Sequence, residues 1–294
     1  MRKKRQLFSA FFASLMLTAG LGYAHVAAAS DGMQAAPMSA AQQRQLVGQL
    51  AGNVRQRWNL DINPDDYQVI TEPGDILIVP KGLPAPKHVE INGVDMLASS
   101  LTVPHRDKSD ASVLDDGTVW NRPMCFARKN VPSKLDPNKI DAWADYCAQA
   151  GEIKYPNQNG TDYAVKEWQT CATTNADGLA YDLTACNAGI APPPGEQLLD
   201  WDDWSPKGTI NQSPCTNLTL SVSVAGIGGS LVLGNFCDTL NPVKGEKPLD
   251  FLTNWSGNAP NGQSRDTGGI VAVHNTLTSG IGIQALYGGI SISL

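Results

Sequence analysis

The sequence predicts a disulfide-stapled α+β fold: an N-terminal helix with two β-hairpins, then a β-rich antiparallel, sandwich-like C-terminal part. Three observations predict it: apolar residues at helical spacing near residue 50, repeated apolar–polar alternation around turn residues, and six cysteines. The chain has 294 residues, 42% hydrophobic and 17% charged, so a sizeable core is expected and wholesale disorder is excluded.

Residues 1–29 predict a secretory signal peptide that is removed from the folded protein. Four basic residues at 2–5 precede an apolar run over residues 7–21, and three alanines at 27–29 end the segment. Its removal takes away four basic and no acidic side chains, which leaves 18 basic against 28 acidic and a net charge of −10. We therefore expect a secreted protein, extracellular or periplasmic, with no nucleic-acid partner.

Residues 30–110 predict a cysteine-free α+β module or a removable pro-region, and the sequence leaves both open. Ser39 begins a capping box, and the apolar spacing after it predicts a helix over residues 40–58. Pro73-Gly74 predicts a turn between strands at 67–71 and 76–79. Asn92-Gly93 predicts a hairpin of residues 88–91 and 94–97.

The six cysteines predict three disulfides, because an even number in an exported chain indicates an oxidised scaffold. A hairpin turning at Gly226 would place Cys215 opposite Cys237, since each lies eleven residues from the turn. The turn at residues 175–178 favours pairing Cys171 with Cys186, which leaves Cys125 with Cys147. This sequential pairing disfavours a catalytic thiolate.

The middle segment, residues 111–196, predicts a second helix and a further hairpin. Asp136 and Pro137 form a helix start, and apolar residues at helical spacing with Cys147 among them extend it to Gly151. Residues 163–173 and 179–186 predict the two strands of the hairpin. The proline-rich run at 191–195 then predicts a boundary, after which residues 197–294 form the β-rich C-terminal domain.

The densest acidic and aromatic cluster predicts a binding site. It comprises Trp201, Trp204, Asp200, Asp202 and Asp203. Tryptophan faces beside carboxylates can hold a sugar ring or a quaternary ammonium group. Strict strand alternation would place Trp201 and Asp203 on one face of the strand, and Asp202 and Trp204 on the other.

The sequence predicts no cofactor and no metal site, and it favours a protein that is not an enzyme. His88, His105 and His274 stand in none of the spacings of helix-borne zinc sites, and phosphate-loop and nucleophile-elbow motifs are missing.

The leading hypothesis is a non-catalytic exported protein that binds a surface, glycan or protein partner through its C-terminal part. One alternative is a β-pore-forming protein, from the alternation in 216–233 and 270–294. Another is a secreted hydrolase whose catalytic residues are distant in sequence.

Overall fold

The protein is a two-sheet antiparallel β-sandwich with one helix packed beside it. The computed structural model describes residues 38–72, 74–103, 118–121, 123–136, 138–154, 160–193, 199–244, 250–275 and 280–294. These residues contain one α-helix, a short 3-10 helix (Pro64–Asp66) and fifteen strands. The sequence predicted a sandwich for the C-terminal part only, and the structure contains one that also includes the N-terminal hairpins. The α+β class needs correction, because strands dominate the N-terminal half as well. The signal peptide, His105 and the predicted boundaries at 29, 110 and 196 lie outside the described residues.

The helix α1 (Ala40–Trp58) begins and ends as its sequence dictates. Ser39 and Gln42 form the capping box, and Asn59 closes the helix in the left-handed conformation. Its buried face consists of Val47, Leu50 and Val54. By hydropathy and length, the helix that the structure describes falls short of what a membrane-spanning helix requires.

Sheet A has eight strands, and its edge strands come from opposite halves of the chain. The strands are β1 (Tyr67–Glu72), β2 (Asp75–Pro80), β5 (Thr118–Trp120), β6 (Met124–Pro132), β7 (Ile140–Ile153), β8 (Thr161–Thr173), β10 (Leu199–Ser205) and β14 (Ser264–Asn275). Their order is β1-β2-β6-β7-β8-β14-β10, and β5 pairs with the end of β7.

Sheet B has seven strands and packs face to face on sheet A. The strands are β3 (Lys87–Ile91), β4 (Val94–Val103), β9 (Asp182–Ala191), β11 (Ile210–Val224), β12 (Ile227–Lys244), β13 (Phe251–Ala259) and β15 (Ile281–Ser293). Their order is β11-β12-β13-β9-β15-β4-β3. Apolar side chains of both sheets meet between them, among them Val165 and Val271 from sheet A and Ile190 and Phe251 from sheet B.

Both hairpins predicted in the N-terminal module form. Strands β1 and β2 pair through the turn at Gly74, and β3 and β4 pair through Asn92 and Gly93, both at positive φ. The two hairpins belong to different sheets: β2 pairs with β6 in sheet A, and β4 pairs with β15 in sheet B. The N-terminal segment therefore completes both layers of the sandwich.

The second helix predicted from Asp136 is wrong, because residues 140–153 form the central strand β7. This strand lies between β6 and β8, and its side chains are buried on both faces. Apolar side chains on both faces of a strand also satisfy helical spacing, so the periodicity could not separate the two structures. Pairing along both edges of β7 then outweighs the helical propensity of its alanines.

The three disulfides are the sequential pairs Cys125–Cys147, Cys171–Cys186 and Cys215–Cys237. The first joins the neighbouring strands β6 and β7, and the third joins β11 and β12 of the hairpin that turns at Ala225 and Gly226. The second connects the two sheets, because Cys171 lies on β8 and Cys186 on β9. The predicted pairing of β8 with β9 as a hairpin is therefore wrong.

The long β11–β12 hairpin forms a third layer over part of sheet A. Its alternating apolar face packs against the outer face of that sheet, where Trp120, Trp168, Ile270 and Ala272 form one cluster with Leu220, Val222, Leu231 and Leu233. Gly229 allows the close approach, because a Cβ there would lie 2.4 Å from the Trp120 ring. The period-two pattern thus marks a half-buried hairpin.

A cluster of charged residues connects the two sheets where the N-terminal hairpins lie. His88 and Asp95 of sheet B contact each other, with Nδ1 of His88 2.9 Å from Oδ1 of Asp95. Asp75 and Lys129 come from sheet A, and Nζ of Lys129 lies 3.4 Å from Asp75 and 3.3 Å from Asp95. Glu72 completes the cluster, 3.4 Å from Nε2 of His88. We call these five residues the sheet-bridging cluster.

Candidate functional sites

The predicted aromatic and acidic cluster lies on β10, at the edge of sheet A. Strict alternation fails there, because a β-bulge between Trp201 and Asp203 adds one residue. The prediction that Trp201 and Trp204 face opposite ways is therefore wrong. Both indoles pack against the apolar layer between the sheets and meet edge to face at 6.1 Å.

The two tryptophan rings are half-buried and have a cation of this chain close by. The Lys244 ammonium lies 4.8 Å from the Trp201 ring centroid and 4.6 Å from that of Trp204. Lys207 contacts Trp204 at 5.6 Å and forms an ion pair with Asp203 at 2.8 Å. Internal cation–π contacts thus already use the aromatic surface that the sequence assigned to a ligand.

One carboxylate of β10, that of Asp202, lies near a histidine that the sequence did not connect with it. Asp200 stands opposite His274 on β14, and His274 stands opposite Asp162 on β8. Nδ1 of His274 lies 2.5 Å from Oδ1 of Asp162. The bulge brings Asp202 into the group, so that one ligand atom each of Asp162, Asp202 and His274 lies within 4.8 Å of the others.

The electrostatics of this group favour an added positive charge. Partial desolvation and the neighbouring Asp162 carboxylate raise the pKa of Asp202, against the opposing effect of His274. Asp162 is 1% exposed, and its Oδ2 has no hydrogen-bond partner among the described residues. Gly160 makes room for the imidazole, since a Cβ there would lie 2.6 Å from Cε1 of His274. The group can polarise a proton on the ring or bind a cation.

A cleft of about 670 Å³ opens between α1 and sheet A, far in sequence from β10. Trp143 and Arg128 belong to its lining, and the Arg128 guanidinium lies 4.7 Å from the Trp143 ring centroid. The remaining polar lining is rich in amides: Gln42, Gln45, Gln49, Asn53, Asn130 and Asn138. This size matches a small-molecule site, and the amide content is higher than in a typical apolar pocket.

Buried polar contacts hold the floor of this cleft in place. Arg128 donates two hydrogen bonds to the Asp145 carboxylate, at 2.5 and 2.6 Å, and both side chains are almost fully buried. Asn53 of α1 donates to the same carboxylate at 3.1 Å. Gln49 accepts from Arg128 at 3.4 Å. The bidentate pair fixes the guanidinium, and the helix is tied to the sheet through it.

No local pattern in the sequence indicates the cleft or the Asp162–Asp202–His274 group, and the reason is the same for both. Their members come from strands and a helix that only the sheet topology brings together, and no local spacing encodes this. A scan against protein-family models and a search of the curated proteins both find no match for this chain.

Proposed function

We propose that the protein is an exported, non-catalytic protein that binds a glycan, and that the glycan occupies the cleft between α1 and sheet A. The three disulfides support the exported part of this proposal, because such bonds persist in oxidising compartments. The observation that carries the ligand class is the lining of the cleft, an indole and a fixed guanidinium among six amide side chains.

Sugars need this combination of groups. An indole offers an apolar surface for the C–H face of a pyranose ring, and amides offer both donors and acceptors to hydroxyl groups. Arg128 is buried and bonded to Asp145 and Gln49, so it fixes the floor of the cleft beside Trp143. The cleft therefore suits a neutral or acidic polyhydroxylated ligand better than an apolar one.

The cleft also offers a better-formed site than the predicted cluster on β10. Trp201 and Trp204 pack toward the interior beneath Lys244. Trp143 also has a cation of this chain over its ring, Arg128, but it borders the open volume of the cleft, which is the difference between the two sites. Binding of a partner through Asp200, Asp202 and Asp203 stays a prediction.

Titration calorimetry with a panel of soluble oligosaccharides tests the proposal. The panel contains chito-, cello-, xylo- and manno-oligosaccharides and an oligouronate. The double variant Gln45→Ala, Gln49→Ala removes two lining amides from exposed helical positions, where alanine supports the helix. We expect it to weaken the best-binding sugar at least about tenfold, as the loss of two hydrogen bonds of about 1 kcal/mol each predicts.

Gln43→Ala is the matched control, since Gln43 is an exposed glutamine of the same helix outside the cleft lining. It should bind like the unmodified protein. Equal affinity in the double variant, or no binding of any panel member, would refute the proposed cleft. Loss of binding in Asp200→Asn with an unaffected cleft variant would move the site to β10.

A secreted hydrolase is the second candidate, and the ring–carboxylate contact between His274 and Asp162 favours it. A buried aspartate bonded to Nδ1 orients an imidazole as a general base. The test is hydrolysis of p-nitrophenyl esters by the purified protein. Turnover that His274→Gln abolishes and His88→Gln leaves intact would support this candidate, and turnover indifferent to both would exclude it.

The pore-forming alternative would require the β11–β12 hairpin to leave the sandwich. That movement would expose Leu220, Val222, Leu231 and Leu233 together with the face of sheet A that they cover. No observation in the described residues favours it over the packed arrangement.

A further inference from the structure

The group formed by Asp162, Asp202 and His274 contains the ligand types of a divalent transition-metal site. Two carboxylates and one imidazole are a donor set that Zn²⁺ accepts in proteins. Their ligand atoms lie within 4.8 Å of one another. A tetrahedral ion with bonds of about 2.0–2.2 Å needs these atoms about 3.4 Å apart. The contact of 2.5 Å between Nδ1 of His274 and Oδ1 of Asp162 is shorter than this, so an ion would replace that hydrogen bond, and the exposed side chain of Asp202 would move toward it.

A second, independent observation points to a missing ligand at this place. Asp162 is buried, yet one of its carboxylate oxygens has no hydrogen-bond partner among the described residues. A buried carboxylate oxygen left without a partner costs free energy. Glu167 Oε2 is another such atom, and Asp162 differs from it because a second carboxylate and an imidazole lie beside it. A dication at this position would satisfy that oxygen and relieve the repulsion between Asp162 and Asp202.

The rest of the surroundings supports this assignment. His274 is held between strands β8 and β10, and its ring packs against Gly160, where a Cβ would come within 2.8 Å of Nε2. The imidazole therefore has little freedom to turn away from the carboxylates. A fixed first ligand lowers the entropy that is lost when the ion binds.

The sheet-bridging cluster provides a contrast within the same protein. Asp75, His88 and Asp95 also lie within 4.8 Å of one another, but Lys129 contacts both aspartates. Its ammonium group already supplies the positive charge that a metal would bring, and it would repel a dication. The two groups contain the same residue types, but we expect metal binding only at Asp162, Asp202 and His274.

From these observations we infer that Asp162, Asp202 and His274 bind one Zn²⁺-class ion, a site separate from the proposed glycan cleft. The imidazole selects against Ca²⁺, which prefers six to eight oxygen ligands. Three protein ligands leave a fourth position of a tetrahedral ion for water or for a group of a partner molecule.

The test uses the disulfide-bonded protein without a polyhistidine tag, after treatment with a chelator. Isothermal titration with Zn²⁺, Co²⁺ and Ca²⁺ gives stoichiometry and affinity, and the visible absorption of bound Co²⁺ reports a tetrahedral site with nitrogen and oxygen ligands. We expect one Zn²⁺ per chain and much weaker binding of Ca²⁺. Asp202→Asn and His274→Gln should each weaken Zn²⁺ binding at least about tenfold, the scale on which changes at metal sites act.

One control variant and a check of folding make the result interpretable. His88→Gln should keep full Zn²⁺ affinity, because it alters only the sheet-bridging cluster, and circular dichroism checks that each variant is folded. Asp202→Asn is the safer of the two ligand changes, since Asp202 is exposed. Zn²⁺ affinity unchanged in both ligand variants, loss in His88→Gln alone, equal binding of Ca²⁺, or no binding to the folded protein would each overturn the inference. None of these outcomes affects sugar binding to the cleft, so the two proposals fail separately.

Discussion

Replacing Glu167 by glutamine would test how the interior of the sandwich accommodates a carboxyl group. Glu167 lies on β8 between the two sheets and is fully buried. Its Oε1 accepts a hydrogen bond from Thr253 of β13 at 3.0 Å, while Oε2 has no hydrogen-bond partner among the described residues. Burial raises the pKa of Glu167 from 4.5 to about 8, against the opposing effect of the Thr253 bond.

This shift fixes the sign and the size of the expected effect. Above pH 4.5 the unfolded chain releases the proton, whereas the folded protein keeps it up to about pH 8. The unfolded state then binds fewer protons, so the free energy of unfolding falls by about 1.4 kcal/mol per pH unit, a total of about 5 kcal/mol over this window. Glu167→Gln cannot ionise and should lack this contribution.

Urea unfolding at pH 5, 7 and 9 measures this pH dependence of the free energy of unfolding. We expect Glu167→Gln to gain stability relative to the unmodified protein as pH rises, by about 4 kcal/mol between pH 5 and 9, because the unfolded chain has already lost part of the proton at pH 5. A buried amide without a second partner costs about 1–3 kcal/mol at every pH, so the pH slope carries the test. Glu90→Gln, at an exposed position of β3, is the control and should show no such slope. A stability difference for Glu167→Gln that is constant from pH 5 to 9 would refute the reasoning.

Three further outcomes are expected. Replacing Cys171 and Cys186 together by serine should lower the free energy of unfolding by about 3 kcal/mol, the value for a closed loop of 15 residues, and an unchanged urea midpoint would show that the sheets do not depend on this bond. Burial alone would lower the pKa of His88, but the bond and charges of its aspartate neighbours raise it. The stabilisation that protonated His88 contributes should therefore be present below its unfolded-state pKa of 6.5 and be lost as pH rises through the raised folded-state pKa, whereas the ion pairs of Lys129 remain. Urea unfolding of His88→Gln should not show this loss. Gly228→Ala would bring a Cβ within 1.8 Å of a carbonyl oxygen of the paired strand and should lower the melting temperature, whereas Gly234→Ala, with open space around it, should not.

Local signals in the sequence predict the elements that local chemistry determines. The capping box at Ser39 gives the helix its start, and Asn92-Gly93 supplies the two positive φ angles of its hairpin. The equal distances of Cys215 and Cys237 from Gly226 likewise predict a disulfide that forms. In each case residues within one helix start or one hairpin determine the structure that forms.

The predictions that fail concern which strands pair with each other in the sheets. The turn at residues 175–178 does reverse the chain, but β8 and β9 then enter different sheets, because each finds longer-range neighbours. The bulge at Asp202 depends on pairing with β14, so the sequence of β10 alone could not indicate it. The Asp162–Asp202–His274 group depends on the long-range pairing of β8, β14 and β10 and on the bulge at Asp202. For this reason no sequence motif indicates it.

The position of β15 in sheet B has a consequence for the order in which the molecule can be built. This strand lies between β9 and β4, so it is the element that joins β3 and β4 to the rest of the sheet. While residues 281–293 are still being synthesised, the N-terminal hairpin of sheet B has no neighbour on its inner edge, and the layer stays in two pieces. Non-local closure of this kind is slow, which keeps the chain unfolded for longer. Sheet B therefore becomes one continuous layer only after β15 is in place.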